Sequence, residues 1–152
     1  MKLDTIDKLL LGMLQANCKK TTKEYANALG LSTTAVYERI KRLEREGVIS
    51  NYVALIDKHK ASMDFTALCH VKLSQHVKEY VLQFEREVLQ LAEVSECFHV
   101  SGDYDYILKI HLKDMAAYRE FMVTKLTALK NIGSTHSSFV ISEVKVSTAI
   151  SL

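Results

Sequence analysis

Residues 32–45 combine small hydroxyl side chains with cationic ones in a fixed order along the chain. At 100° per residue, these polar side chains fall on one face of a helix. Hydroxyl groups near the start of such a helix can hydrogen-bond base edges, and cations toward its end can bind phosphates. We therefore predict a DNA-reading helix that begins at Thr33. The residues expected to contact DNA are Ser32, Thr33, Thr34, Tyr37, Glu38, Lys41, Arg42 and Arg45.

A helix-turn-helix would position that face. Gly30 and Leu31 suit the tight turn, and Ser32 is a natural N-cap for the second helix. A third, upstream helix is expected to start near Thr5, after the acidic cap Asp4. The apolar positions that would pack these helices together are Ile6, Leu9, Leu10, Met13 and Leu14, then Tyr25, Ala26 and Leu29, then Val36, Ile40 and Leu43.

Charge supports DNA binding only locally. The chain carries +2 overall, whereas residues 19–45 hold seven Lys and Arg residues against three Glu residues, a net charge of +4. A solvated charged face on an ordinary three-helix unit would explain the same charges. The combination of turn, cap and polar face favours the DNA-binding interpretation.

Length and composition set wider limits on the fold. The 152 residues suffice for one ordinary core or two small ones. No segment approaches the roughly 20 apolar residues of a membrane span, and the N-terminal segment, unlike a signal peptide, places acidic residues among its apolar positions. We therefore expect a cytoplasmic protein. Three widely spaced cysteines, Cys18, Cys69 and Cys97, indicate reduced thiols rather than disulfides.

The rest of the chain alternates between strand and helix patterns. Residues 48–58 (VISNYVALIDK) should be extended, as a wing or as a strand leading out of the DNA-binding part. Strand patterns at 65–74, 94–102, 104–112 and 137–146 alternate with helix patterns to give the order β-α-β-β-α-β. The predicted fold is α+β, with a winged helix-turn-helix at 1–50, an extended linker at 51–64 and a ferredoxin-like βαββαβ domain at 65–152.

One face of a ferredoxin-like sheet carries no helices. Such a face tends to be buried against another subunit, so we expect a homodimer formed sheet to sheet. Two-fold symmetry would also pair the DNA-reading helices for half-sites about 34 Å apart.

Several local runs together resemble the Lrp/AsnC, or feast/famine, family of transcription regulators. They are LDTID at 3–7, LGLS at 29–32, ERIKRLE at 38–44, GVI at 47–49, VSGDYDY at 100–106 and EVK at 143–145. The resemblance covers essentially the whole chain. It implies a winged DNA-binding domain, an effector domain that usually binds an amino acid, and dimers that often assemble into octamers.

The resemblance also places an effector between dimers, near residues 101–105 and 133–137. An amino acid needs anionic acceptors for its ammonium, which Asp103 and Asp105 could supply. Its carboxylate needs donors, such as the hydroxyls of Thr135 and Ser137 or the amides near Gly102. Alternatively, these residues form an ordinary turn and strand. The candidate effector-binding residues are Phe98, Val100, Ser101, Gly102, Asp103, Tyr104, Asp105, Thr135, His136 and Ser137.

Three other functions compete with this prediction. An enzyme is conceivable, because some haem-pathway decarboxylases resemble the same two-domain arrangement, but the sequence contains no catalytic signature that we recognise. A metal site could be imagined at Cys69 with His70, or at Cys97 with His99, although buried structural residues explain both pairs better. A ligand-responsive assembly module would bind amino acids without binding DNA. We expect neither a cofactor nor a metal.

Overall fold

The computed structural model describes residues 2–152. The chain forms two compact units, one of residues up to Leu55 together with Val144–Leu152, and one of Ile56–Glu143. The domain limits 1–50, 51–64 and 65–152 remain predictions. None of the helices formed by residues 2–152 is both long enough and apolar enough to cross a bilayer.

Three helices, each opened by a polar cap, make up the first unit. They are α1 (Thr5–Ala16), α2 (Thr22–Leu29) and α3 (Thr33–Arg45). The α1 cap Asp4 and the α2 cap Thr21 both form capping boxes, while the hydroxyl of Ser32 accepts the Ala35 N–H at 3.1 Å. The predicted starts at Thr5 and Thr33 are therefore confirmed. The shared core contains Leu10, Leu11, Leu14, Tyr25, Ala26, Val36 and Leu43.

The turn between α2 and α3 requires Gly30. This residue has φ = +65°, a left-handed conformation that costs little only for glycine. The N–H of Leu31 donates to the carbonyl of Ala26 at 3.0 Å, which closes the end of α2. The direction in which α3 leaves α2 is thus set by backbone geometry.

The strand expected within residues 48–58 does not form. Ser50 to Asp57 contain no regular element, and Val53, Leu55 and Ile56 are exposed. A strand needs a neighbouring row of backbone donors and acceptors, and no strand formed by residues 2–152 pairs with this segment. The segment has the apolar, β-branched composition of a strand, but no strand among residues 2–152 pairs with it.

The second unit is a four-stranded antiparallel sheet with helices on one face. Its strands are β1 (Phe65–Leu73), β2 (Val94–His99), β3 (Tyr106–Leu112) and β4 (Ile132–Phe139), in the spatial order β2-β3-β1-β4. The helices are α4 (Lys78–Val88) and α5 (Met115–Phe121), and α5 continues as a π-helical turn, Met122–Leu126. The predicted order β-α-β-β-α-β and the ferredoxin-like α+β fold are confirmed.

The core of this unit follows from alternation along its strands. Alternate residues of β1 and β3 face the helices, so Cys69 lies opposite Leu108 and both are fully buried. Phe84 of α4 packs on Tyr106 with ring centroids 4.6 Å apart. The intervening residues, such as Leu68 and His70, lie on the face that the helices leave uncovered, which we call the open face.

The last strand was predicted five residues too late. β4 spans Ile132–Phe139 rather than 137–146, and Ile141 is fully exposed. β4 pairs with β1, and the final bond of this ladder runs from the Val140 N–H to the Thr66 carbonyl. Because β1 begins at Phe65, the apolar residues beyond Val140 have no strand to pair with.

Two glycines give opposite expectations for the same substitution. Gly12 lies exposed within α1, where an added methyl group would contact nothing within 4 Å. Gly12→Ala should therefore raise the free energy of unfolding by about 0.5–1 kcal/mol. Gly30→Ala should lower it by about 1–2 kcal/mol, because alanine is strained at this φ. Urea denaturation followed by circular dichroism measures both, and effects of the same sign would contradict the assigned backbone geometry.

Candidate nucleic-acid interface and effector site

The first half of α3 presents polar side chains to solvent. Thr33, Thr34 and Tyr37 are exposed, Tyr37 to 48%, whereas Val36 is completely buried on the opposite side. Glu38 is also exposed. The hydroxyl of Ser32 is already used to cap α3. An anion would therefore be bound at this position chiefly by the backbone N–H groups of the helix N-terminus. These groups are suited to hydrogen bonding along a groove.

Two exposed cations follow on the same face. Arg45 has 72% of its side chain exposed, and its nearest carboxylate, on Glu46, is 3.7 Å away. Lys41 has 50% exposed, and its ammonium lies 2.8 Å from Glu44 and 5.8 Å from the ring centre of Tyr37. The bond to Glu44 raises the pKa of Lys41, so Lys41 stays charged. Surface ion pairs of this kind are weak, which leaves Lys41 free to exchange Glu44 for a phosphate.

Arg42 is placed differently from the other predicted DNA contacts. Its Nη2 donates to Oδ1 of Asp7 at 2.6 Å, and its Nε is buried, so the guanidinium lies against α1. Only 38% of this side chain is exposed. The structure brings the other predicted residues onto one free surface but directs Arg42 toward the protein.

Asp7 is the centre of a small ion network that the sequence analysis did not identify. Its side chain is 1% exposed, and its Oδ1 accepts hydrogen bonds from both Arg42 and Arg39, the latter at 2.7 Å. Its Oδ2 accepts the Asp4 N–H at 3.1 Å. Arg39 also bonds Asp4, and this bond lowers the pKa of Asp4 while Asp4 and Asp7 raise that of Arg39. The spacing of Asp4 and Asp7 in the sequence indicates a capping box, but it does not indicate that arginines of α3 bind these two carboxylates.

The turn between β2 and β3 holds most of the predicted effector residues. Ser101, Gly102 and Asp103 are exposed, and Gly102 has φ = +131°, a conformation that favours glycine. Half-buried Val100 ties the base of the turn, since its N–H donates to the Asp105 carbonyl at 2.9 Å. The turn is thus an open, well-defined loop with one free carboxylate, that of Asp103.

Asp105 is buried and already has partners. Its Oδ2 accepts the Leu73 N–H at 2.7 Å, and its Oδ1 lies 3.0 Å from Nε2 of the exposed His76. The Asp105 N–H donates to the carbonyl of Val71 at 2.9 Å. Asp105 therefore fixes the turn to the end of β1, and its carboxylate is much less accessible than that of Asp103.

The three candidates in β4 do not share a face. Most of the segment 133–137 precedes the strand predicted at 137–146, but the whole segment lies inside β4, where alternate residues point to opposite sides. Thr135 and Ser137 face the helices, and Ser137 contacts the hydroxyl of Tyr118 and the sulfur of Cys69. His136 faces the other way.

His136 joins two aromatic residues on the open face. Its ring centre lies 6.3 Å from that of Tyr104 and 6.1 Å from that of His70. Half-exposed Phe98 is on the same face, opposite Ile107, which in turn lies opposite His70. His70 and Ile107 were absent from the predicted site, because only the strand register shows that they adjoin it.

The Cys69–His70 pair is not assembled as a metal site. Cys69 is buried toward the helices whereas His70 lies on the open face, as expected for consecutive strand residues. His99 stacks on Tyr106, with ring centroids 4.6 Å apart, and the Tyr106 hydroxyl donates to Glu85 at 2.9 Å. Residues 2–152 contain no group of three His, Cys, Asp or Glu side chains placed to hold a metal ion.

Known proteins match both units of the chain. The family model described as Lrp/AsnC ligand binding domain matches residues 66–150, and the model described as winged helix-turn-helix DNA-binding matches residues 3–50. The leucine-responsive regulatory protein of Salmonella typhimurium is 36% identical, over 97% of this chain and 90% of its own length. The DNA-binding transcriptional activator DecR of Escherichia coli is 32% identical, over 97% of both chains.

Solved structures agree with these matches. A transcriptional regulator of Neisseria meningitidis, solved as an L-Met complex, superimposes with a TM-score of 0.94 at 30% identity, covering 98% of this chain and 96% of that one. Escherichia coli AsnC superimposes with a TM-score of 0.90, covering 98% and 99%, and its 20% identity indicates a shared fold. With its capped α3 surface and its four-stranded sheet, the chain belongs to the Lrp/AsnC family of DNA-binding transcription regulators.

Proposed function

We propose that this regulator binds DNA through the exposed face of α3 and responds to a small effector, an amino acid. The observation that carries the proposal is the surface of α3, where Thr34 and Tyr37 precede Lys41 and Arg45 on a helix whose other side is buried. In a major groove, the first two side chains would contact base edges and the two cations would bind phosphates. Ser32, Thr33 and Glu38 complete the proposed contact surface.

An amino-acid effector suits the turn between β2 and β3. The exposed carboxylate of Asp103 can bind an ammonium, and backbone amides around Gly102 can approach a carboxylate closely. Phe98 and Val100 would contact the side chain of the effector, with Tyr104 and His136 at the edge of the site. The L-Met bound to the Neisseria meningitidis relative supports this class of ligand.

Assembly provides the coupling between effector and DNA. We propose a homodimer formed through the open faces of two sheets, with dimers assembling further into octamers and the effector bound between dimers. A ligand that binds one assembly more tightly than another shifts the balance between them, and so changes the affinity for arrayed DNA sites. A protein with this role acts where the DNA is, in the cytoplasm.

Lys41→Ala tests the DNA-binding surface. Loss of one phosphate contact in each bound subunit should reduce the salt dependence of binding, making the slope of log K against log salt shallower by about 0.9 per subunit, or about 1.8 for a bound dimer. The measurement is a titration of the full chain, at several salt concentrations, with a duplex selected from a random-sequence library. Lys60→Ala, which removes an exposed cation from the other unit, is the matched control. An unchanged slope for Lys41→Ala would exclude this part of α3 as a contact surface.

Asp103→Ala tests the effector site. A thermal-shift screen of the twenty amino acids first identifies the ligand, since a bound ligand stabilises the folded state. Loss of a charge-assisted hydrogen bond, which contributes about 1.5–3 kcal/mol, should then reduce the affinity for that ligand by roughly tenfold or more. Asp64→Ala removes an exposed carboxylate outside the turn and should leave affinity unchanged.

Equal affinities for Asp103→Ala and the unsubstituted protein would contradict the assigned role of the turn. Asp105→Ala gives a less specific test, because it also removes the acceptor of the Leu73 N–H. A lost response in that variant would follow either from the missing ligand contact or from a displaced turn.

A further inference from the structure

Two of the three arginines of α3 are held by a buried carboxylate of α1. Arg39 and Arg42 both donate to one oxygen of Asp7, at 2.7 and 2.6 Å, and Asp7 is 1% exposed. A buried carboxylate is stable only with partners, and loss of one guanidinium would leave the charge of Asp7 with a single arginine and the backbone N–H of Asp4. The structure therefore favours keeping both arginines on α1.

Arg42 would otherwise be well placed to reach a phosphate. It lies one helical turn before Arg45 and adjoins Lys41, at the edge of the DNA-facing surface of α3. An arginine side chain is long, and guanidinium groups bind phosphates in two-point contacts. Its position in the sequence therefore permits a DNA contact that its ion pair prevents.

We propose that Asp7 is a specificity-determining positioning residue that withholds Arg42 from the DNA backbone. A phosphate contact adds affinity for every sequence equally and contributes nothing to base readout. By holding Arg42 on α1, Asp7 limits sequence-independent binding and also orients α3, so that Thr34 and Tyr37 dominate recognition. This inference rests on the proposed use of α3 in DNA binding.

Arg39 remains attached when Asp7 is neutralised. Its Nη1 also donates to Asp4 at 2.7 Å, and this second bond does not involve Asp7. Arg42, in contrast, has Asp7 as its carboxylate partner among the described residues. Asp7→Asn should therefore release one cation, Arg42, and not two.

Asp7→Asn is the central variant, because asparagine keeps the size of the side chain and one acceptor oxygen. Binding of the variant chain to an unselected duplex should become more salt-dependent, with a slope steeper by about 0.9 per bound subunit. For each bound subunit, that change corresponds to an additional loss of about 3.5-fold in affinity as the salt concentration rises fourfold from about 50 to about 200 mM. The ratio of affinities for selected and unselected duplexes should fall.

The double variant Asp7→Asn with Arg42→Ala is the matched control, and it should return the slope to that of the unsubstituted protein. A variant that is merely destabilised would instead bind both duplexes more weakly without a steeper slope. Thermal melting of each variant separates this effect from binding. An Asp7→Asn slope that is unchanged or shallower would overturn the proposal.

Arg42→Ala alone provides a test that does not depend on the Asp7 variant folding. If Asp7 withholds Arg42, this substitution leaves the slope unchanged, whereas Lys41→Ala makes it shallower by about 0.9 per bound subunit. A slope that becomes shallower by about 0.9 per bound subunit in Arg42→Ala would show that Arg42 contacts a phosphate. That result would overturn the inference about Asp7 and leave the proposed function intact. Absence of salt-dependent binding by the unsubstituted protein would overturn the proposed function, and the inference with it.

Discussion

The buried carboxylate of Asp7 is the constraint on which the DNA-binding unit depends. It accepts hydrogen bonds from the backbone at the start of α1 and from two arginines of α3, so one side chain both closes a helix cap and fixes a second helix. Removing one partner of a buried ion pair typically costs about 3–5 kcal/mol, although an apolar replacement of the whole network could be equally stable. The network therefore contributes mainly to the position of α3, and through it to recognition.

A second buried carboxylate has a similar structural role in the sheet. Asp105 accepts the Leu73 N–H at the end of β1, which ties the turn between β2 and β3 to the centre of the sheet. Asp103, two residues earlier, stays in solvent. The two aspartates of one turn thus have separate tasks, because one maintains the shape of the turn and the other is free to bind a cation.

Local signals explain what could be predicted from the sequence. The cap at Ser32, the glycine at Gly30 and the apolar spacing of α3 act within a few residues, and they placed the helix-turn-helix correctly. The capping box of Asp4 and Asp7 was equally local, but the bond from Arg42 to Asp7 joins residues 35 positions apart. No spacing rule within one helix reports such a contact.

Strand register explains what could not be predicted. The start of β4 around Gly133 and Ser134 is polar and lacks the composition of a strand, although it forms one. The segment after Val140 has an apolar composition typical of a strand but forms none. Gly133 lies so close to the backbone of Leu73 and Ser74 that an added Cβ would come within 3.1 to 3.2 Å of it. Because the strand began earlier than predicted, Thr135 and Ser137 face the helices and His136 adjoins His70 on the open face.

The most direct test of how α3 recognises DNA is a structure of the full-length protein on a duplex selected from a random-sequence library. The expected result has the exposed face of α3 in the major groove, with Tyr37 near base edges and Arg42 still hydrogen-bonded to Asp7. A structure in which α3 lies outside the groove, or in which Arg42 has left Asp7 for a phosphate, would contradict it.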